Sequence, residues 1–202
     1  MTHTTRFPVL SRALHWLMAL LVLAMIFIGI AMVASLSAYH RLVSIHRPLG
    51  ILILLLVVVR LINRWVNPPP PLPADMPRWQ RAAALGSHLL LYALLFALPL
   101  VGWGMLSAGG YPVVLYGPIH LPPILPHVAG LYAALRTTHT VLAFTLFAVF
   151  LAHLGAALMH ALIYRDGVFQ SMATWNIDAK GGRTRSARRR PASPSRPRAA
   201  AR

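Results

Sequence analysis

Four long apolar stretches, at residues 14–35, 45–65, 84–107 and 137–164, dominate the pattern of this chain. Each is near or above the ~20 residues that carry an α-helix across about 30 Å of hydrocarbon. They predict an all-α membrane protein, a four-helix transmembrane bundle running up, down, up, down. The first stretch is longer than the apolar core of a signal peptide and has His15 and Trp16 at its start, so it reads as a retained span. Arg60 and Arg64 lie at the far end of the second, where long cationic side chains snorkel to the interface. Pro99 is expected to kink the third.

The connectors carry unequal charge. Arg6, Arg12, Arg60, Arg64, Arg78, Arg81 and Arg165 fall on one side of the spans, and only Arg41, Arg47 and Arg136 on the other. The positive-inside bias then puts both termini in the cytoplasm. Residues 67–73 read as a stiff, proline-rich cytoplasmic connector. The outer connector, 108–136, is rich in glycine and proline and longer than most structureless loops, which implies a task.

Composition agrees with the pattern. The chain is 57% hydrophobic and 11% charged, against about 25% charged residues in soluble domains. The absence of cysteine excludes disulfides, iron–sulfur clusters, thiolate ligands and thioether-linked haem. Net charge is +16, much of it in the Arg-, Pro- and Ser-rich segment after Trp175. Residues 1–172 therefore read as one membrane domain and 173–202 as a basic, disordered cytoplasmic tail. Attraction to the anionic lipid bilayer explains that tail better than nucleic acid does.

The histidines are the informative polar positions. His139 and His153 stand fourteen residues apart, about four turns and ~21 Å of rise, hence on one face at two depths. An ionisable side chain at membrane depth is a functional hypothesis by default. By depth, His46 pairs with His139 at the outer level and His15 with His153 at the inner level. Each pair joins two helices, as a bundle does when it holds a planar cofactor, and neutral imidazole is a good axial ligand for haem iron.

Arg60, fourteen residues after His46, reaches the inner level on the same face and suits the propionates of an inner haem. Arg47 or Arg136 suits an outer one. His88 leaves three readings open: inner ligand in place of His15, hydrogen-bond partner of a quinone, or an interfacial residue. His160, seven residues after His153, reads as a quinone or proton-transfer residue. His3, His40, His120 and His127 read as ordinary loop histidines, and Met25 and Met105 as packing.

In order along the chain, RALHW around His15, IHRPLGILILLLVVVRLINR from His46 through Arg60, NPPPPLP, HLLLYALLFALPLVGW from His88, AGGYPVVLYG, and THTVLAFTLFAVFLAHLGAALMHALIYRDGV stand out. With these motifs, residues 6–172 resemble the bacterial cytochrome b561 family of four-span dihaem cytochromes b. The resemblance implies two haem b groups, one on His15 and His153 and the other on His46 and His139, in a bacterial inner membrane. Two positions depart from the family pattern. Thr140 stands where an acidic residue often follows the outer histidine, and Met159-His160-Ala161 keeps only the first histidine of a basic–His–His run.

Two haems at different depths form an electron wire, and six-coordinate iron leaves no open position for oxygen chemistry. Ubiquinone is the expected inner partner, with His160, His88, Arg12 and Arg81 as candidate contacts. Arg41, Arg47 and Arg136 form a positive outer rim that would steer a small anion. Some members of the family are superoxide oxidases, so superoxide:ubiquinone oxidoreductase is the specific expectation. The alternative is a haem-bearing anchor that exchanges electrons between quinone and a periplasmic dehydrogenase or hydrogenase. A third class, a haem-free transporter or structural membrane protein, has no account of the histidine levels.

Overall fold

The computed structural model describes residues 6–73 and 76–173. The basic tail expected from residue 173 onward falls, from 174, outside the described residues. Helices α1 (Val9–Ala34), α2 (Tyr39–Val66) and α3 (Arg78–Ala108) are followed by strands β1 (Val113–Tyr116) and β2 (Ile119–Leu121). Helix α4 (Ala129–Met159) then runs into a π-helical turn, His160–Tyr164, and a short helix, α5 (Val168–Ala173). The four long helices α1 to α4 are apolar and long enough to cross a membrane.

The helices outrun their apolar cores. Helix α4 begins at Ala129, about two turns before the hydrophobic run at 137. The bilayer limits how much of a helix must be apolar; it does not end the helix, whose backbone bonds persist into the interface. The starts of α1 and α3 are set by Pro8 and Pro77, whose φ of −54° and −55° is already helical. Their carbonyls accept from Arg12 N–H and Arg81 N–H at 3.1 Å each. Helix α2 stops at Val66 because the prolines from Pro68 onward supply no N–H and disfavour helical geometry before them. Pro48 and Pro99 lie inside α2 and α3, and both helices continue through them.

Helix α1 packs on α2, α3 on α4, and α2 on α3. At the centre, Met18 and Val22 of α1 meet Ile53 and Val57 of α2, Leu94 and Leu98 of α3, and Leu146 of α4. On α4, Leu146 lies midway between His139 and His153, so this cluster is an apolar septum between the two histidine levels. The opposite faces expose large apolar side chains, among them Phe27, Leu20, Leu89 and Phe144. Such a surface is stable only where hydrocarbon replaces water.

The long connector between α3 and α4, expected to carry a task but assigned no element from its pattern, contains a hairpin. β1 and β2 form an antiparallel hairpin pairing Val113 with Leu121 and Val114 with His120, turned at Gly117 with φ 51°. Prolines flanking each strand obscured this, yet a two-stranded ribbon consists only of edges, where proline is tolerated. Beyond the hairpin, Trp103 Nε1–H donates to the Pro122 carbonyl at 2.9 Å and Ile124 N–H to Ser107 Oγ at 3.1 Å. Leu125 sits so close to Gly104 that a Cβ there would lie 2.9 Å from its Cδ1. At the other end, Phe7 N–H and Trp16 Nε1–H each donate at 3.2 Å, to the Ser171 and Met172 carbonyls. α5 is thereby tied to the start of α1.

Candidate functional site

The helices bring the histidines together in pairs at two levels. His46 on α2 and His139 on α4 have ring centroids 6.2 Å apart, with planes inclined at 67°. His15 on α1 and His153 on α4 lie 6.4 Å apart, inclined at 69°. An imidazole nitrogen sits about 2.0 Å from a bound metal and about 1.1 Å from its own ring centre, so two rings flanking one metal place their centroids about 6.3 Å apart. Both pairs have that separation. Among the described residues no three His, Asp or Glu side chains converge as they would on a bare ion. Two-ligand axial coordination of a planar metallocycle is the chemistry this donor set fits.

Unpartnered buried polar atoms point the same way. His46 Nδ1, His139 Nδ1, Arg47 Nε and Arg60 Nη1 are buried without a hydrogen-bond partner; the Leu98 backbone lies near His139 but in no well-aligned bond. Native interiors rarely leave such groups unmet. Of these, the guanidinium N–H at each level, Arg47 Nε and Arg60 Nη1, is one that the carboxylates of a bound macrocycle would satisfy. Gly102 of α3 backs His139: a Cβ there would approach its Cε1 to 3.3 Å. Nothing in the sequence marks Gly102 for this role, because the close approach is made by a different helix.

The inner level is more polar. Arg60 Nη2 donates to His15 Nδ1 at 3.1 Å and Arg60 Nε to the Tyr92 hydroxyl at 2.9 Å. Since guanidinium only donates, His15 carries its proton on Nε2 in this arrangement. Asn63 Nδ2 donates to Ser11 Oγ at 2.7 Å, and Asn67 Nδ2 to Asn63 Oδ1 at 3.1 Å, a polar ladder along the C-terminal end of α2. Tyr92, Ser11 and Asn63 were not singled out from sequence; a polar residue at helical spacing from Arg60 was the available signal for Asn63.

His88 on α3 lies against His153, with centroids 5.5 Å apart, about 0.8 Å short of the spacing for two rings on one metal. Arg12 is buried at the start of α1. Arg81 donates from Nη2 to the Pro73 carbonyl at 3.2 Å, bracing the proline connector. His160 pairs with Asp166 at 2.6 Å. At the outer level, Arg47 Nη1 donates to the Pro112 carbonyl at 3.4 Å, and Arg136 lines a shallow cleft of about 450 Å³ with Tyr132, Thr137 and Thr140.

Comparison with known proteins identifies the family of the chain. The sequence pattern of the family described as prokaryotic cytochrome b561 matches residues 6–175. The chain is 34% identical to "Cytochrome b561 homolog 2" of Escherichia coli over 172 residues, covering 83% of this chain and 90% of that one. It is 30% identical to "Cytochrome b561 homolog 1" of the same organism, over 67% of this chain and 77% of that one. Identity to "Probable superoxide oxidase CybB" of Yersinia pestis is 30%, over 83% and 95% of the two chains. Four apolar helices, paired imidazoles at two depths and a match spanning the whole bundle lead to one conclusion: the chain belongs to the prokaryotic cytochrome b561 family, haem b-binding, multi-pass bacterial membrane proteins of electron transfer.

Proposed function

We propose that this protein holds two haem b groups and carries electrons from superoxide, at the periplasmic face of the inner membrane, to ubiquinone near the cytoplasmic face. His46 and His139 would hold the outer haem, and His15 and His153 the inner one. The observation that carries this reading is the pair of imidazole separations, 6.2 and 6.4 Å, on opposite sides of an apolar septum. Bound haem b supplies one-electron redox capacity; the chain supplies ligation, charge balance and access.

At the outer level Arg47, Arg41 and Arg136 raise the local concentration of a small anion, an effect that weakens as salt screens it. The septum keeps water from the space between the levels. At the inner level Arg60 does double duty. A ring that binds iron through Nε2 keeps its proton on Nδ1 and no longer accepts from Arg60, whose guanidinium is then free to pair with a propionate. His88, too near His153 to share a metal with it, belongs with His160, Arg12 and Arg81 on the quinone side. Both termini lie in the cytoplasm on this reading, as the arginine distribution favours.

The test is superoxide-driven reduction of ubiquinone by purified, haem-loaded protein, with pyridine haemochrome analysis giving two haems per chain. One haem or fewer sinks the ligand assignment. Two haems without superoxide-dependent quinone reduction sink the specific activity and favour the anchor role. The exposed hairpin tip, with Tyr116 83% exposed, would then be the surface for a periplasmic redox partner, and co-purification of that partner the deciding result.

A further inference from the structure

The end of α4 departs from regular helix where His160 meets Asp166. The chain adopts a π turn at His160–Tyr164, closed by Arg165 N–H donating to the His160 carbonyl at 2.9 Å. Arg165 then takes φ 51° and Gly167 φ 82°, reversing the chain. For arginine that left-handed conformation is unfavourable, and such positions persist where the surroundings require them. π turns likewise concentrate at functional sites.

The reversal brings Asp166 back onto His160. Asp166 Oδ2 lies 2.6 Å from His160 Nδ1, and Oδ1 accepts from Val168 N–H at 3.1 Å. A carboxylate only accepts, so His160 Nδ1 carries a proton and Nε2 is the nitrogen left for exchange. The two side chains are 15% and 26% exposed. His160 follows His153 by seven residues, about 10 Å further toward the cytoplasm on the same helix face. Tyr164, with its ring 5.2 Å from that of His160, accepts from Gln80 Nε2 at 3.4 Å and ties this turn to the start of α3. The chain has three acidic residues against a net charge of +16, and one of them is spent on this histidine. Capping α5 alone explains Oδ1, and an asparagine would serve for it; it leaves Oδ2 unexplained.

We propose that Asp166 is a positioning residue for proton delivery to the quinone, acting through His160. This rests on the quinone-reducing role proposed above. Reduction of a quinone takes two electrons, which arrive through the protein's electron-transfer function, and two protons, one on each carbonyl oxygen, of which His160 supplies one and cytoplasmic water the other. His160 donates its Nε2 proton to a carbonyl oxygen: an O–H bond forms as the Nε2–H bond breaks. The ring returns to the neutral form with Nδ1–H held by Asp166, and Nε2 takes its next proton from cytoplasmic water. The Asp166 carboxylate fixes the tautomer and aims Nε2, as the carboxylate partner of a catalytic histidine does elsewhere.

The experiment uses the full, haem-loaded chain in lipid nanodiscs with ¹⁵N-labelled histidine, the His160 ring signals being identified by their loss in H160Q. In wild type and D166E the ring reports a protonated Nδ1, and in D166N a mixture of tautomers. D166N keeps the Val168 cap, so its haem spectrum and rate of haem reduction match wild type. Its quinone turnover falls by about 10- to 100-fold, within the range a positioned acid–base group supplies, and D166E restores most of it. Equal quinone turnover in wild type and D166N, with or without a tautomer change, overturns the proposal and leaves Asp166 as a helix cap. Failure of wild type to reduce quinone at all overturns the parent reading and this one together.

Discussion

The two histidine levels are built from the same motif and finished differently. At the outer level two imidazoles meet with both Nδ1 atoms buried and unpaired, and His139 is backed by the bare Gly102. At the inner level His15 already accepts from Arg60, a third imidazole, His88, leans on His153, and Ser11, Asn63 and Asn67 extend polar contacts toward the C-terminal end of α2. Equal spacing of the pairs suits equal ligation. The unequal surroundings suit the unequal tasks proposed above: electron transfer alone at the outer level, and at the inner level a partner that takes electrons with protons and so needs hydroxyls, amides and spare imidazoles nearby.

The sharpest way to break this comparison is to remove one ligand at a time. His139→Ala should abolish the outer haem and keep the inner, His153→Ala should do the reverse, and His88→Ala should keep both, as counted by low-temperature optical spectra and redox titration. Loss of a haem in His88→Ala would mean that the inner level uses His88 rather than His15.

A smaller perturbation tests the steric difference. Gly102→Val adds bulk where a Cβ alone would meet the His139 ring at 3.3 Å, so it should lower outer-haem occupancy severalfold and leave the inner haem at full occupancy. Haem-to-protein ratios, resolved by potential, read this directly. Equal loss at both levels would indicate global misfolding instead.

The smallest effect concerns charge. Arg60→Met removes a cation beside His15, which should make the inner haem harder to reduce by on the order of 60 mV, a tenfold change in a one-electron equilibrium. The outer potential should move far less, because the septum and most of the bundle lie between. A shift of the same size at both levels would show that Arg60 acts through the bundle's packing and not through local charge.

Much of this was legible in the sequence because membrane insertion imposes a one-dimensional code. Apolar run length announces a span, arginine asymmetry suggests orientation, and a 14-residue histidine interval gives depth and face without any knowledge of neighbours. The outer hairpin was hidden because flanking prolines mask short strands. Gly102, Tyr92 and Asp166 were hidden because each acts on a residue from another element or across a chain reversal. Spacing alone left His88 beside His15 as an inner-level candidate; the ring separations from His153, 5.5 against 6.4 Å, are what the proposal of His15 as the ligand rests on.

The sequence by itself determined that there are four spans, where histidines stand along them and at what depth, because helical rise and hydrocarbon thickness are fixed lengths. Only the tertiary structure decided which imidazoles face one another, which guanidinium keeps an unmet N–H, and that Asp166 turns back onto His160. Those depend on how helices rotate and cross, which is set by the packing of Val57, Leu94, Leu146 and their neighbours around one core and is not written in the periodicity of any single helix.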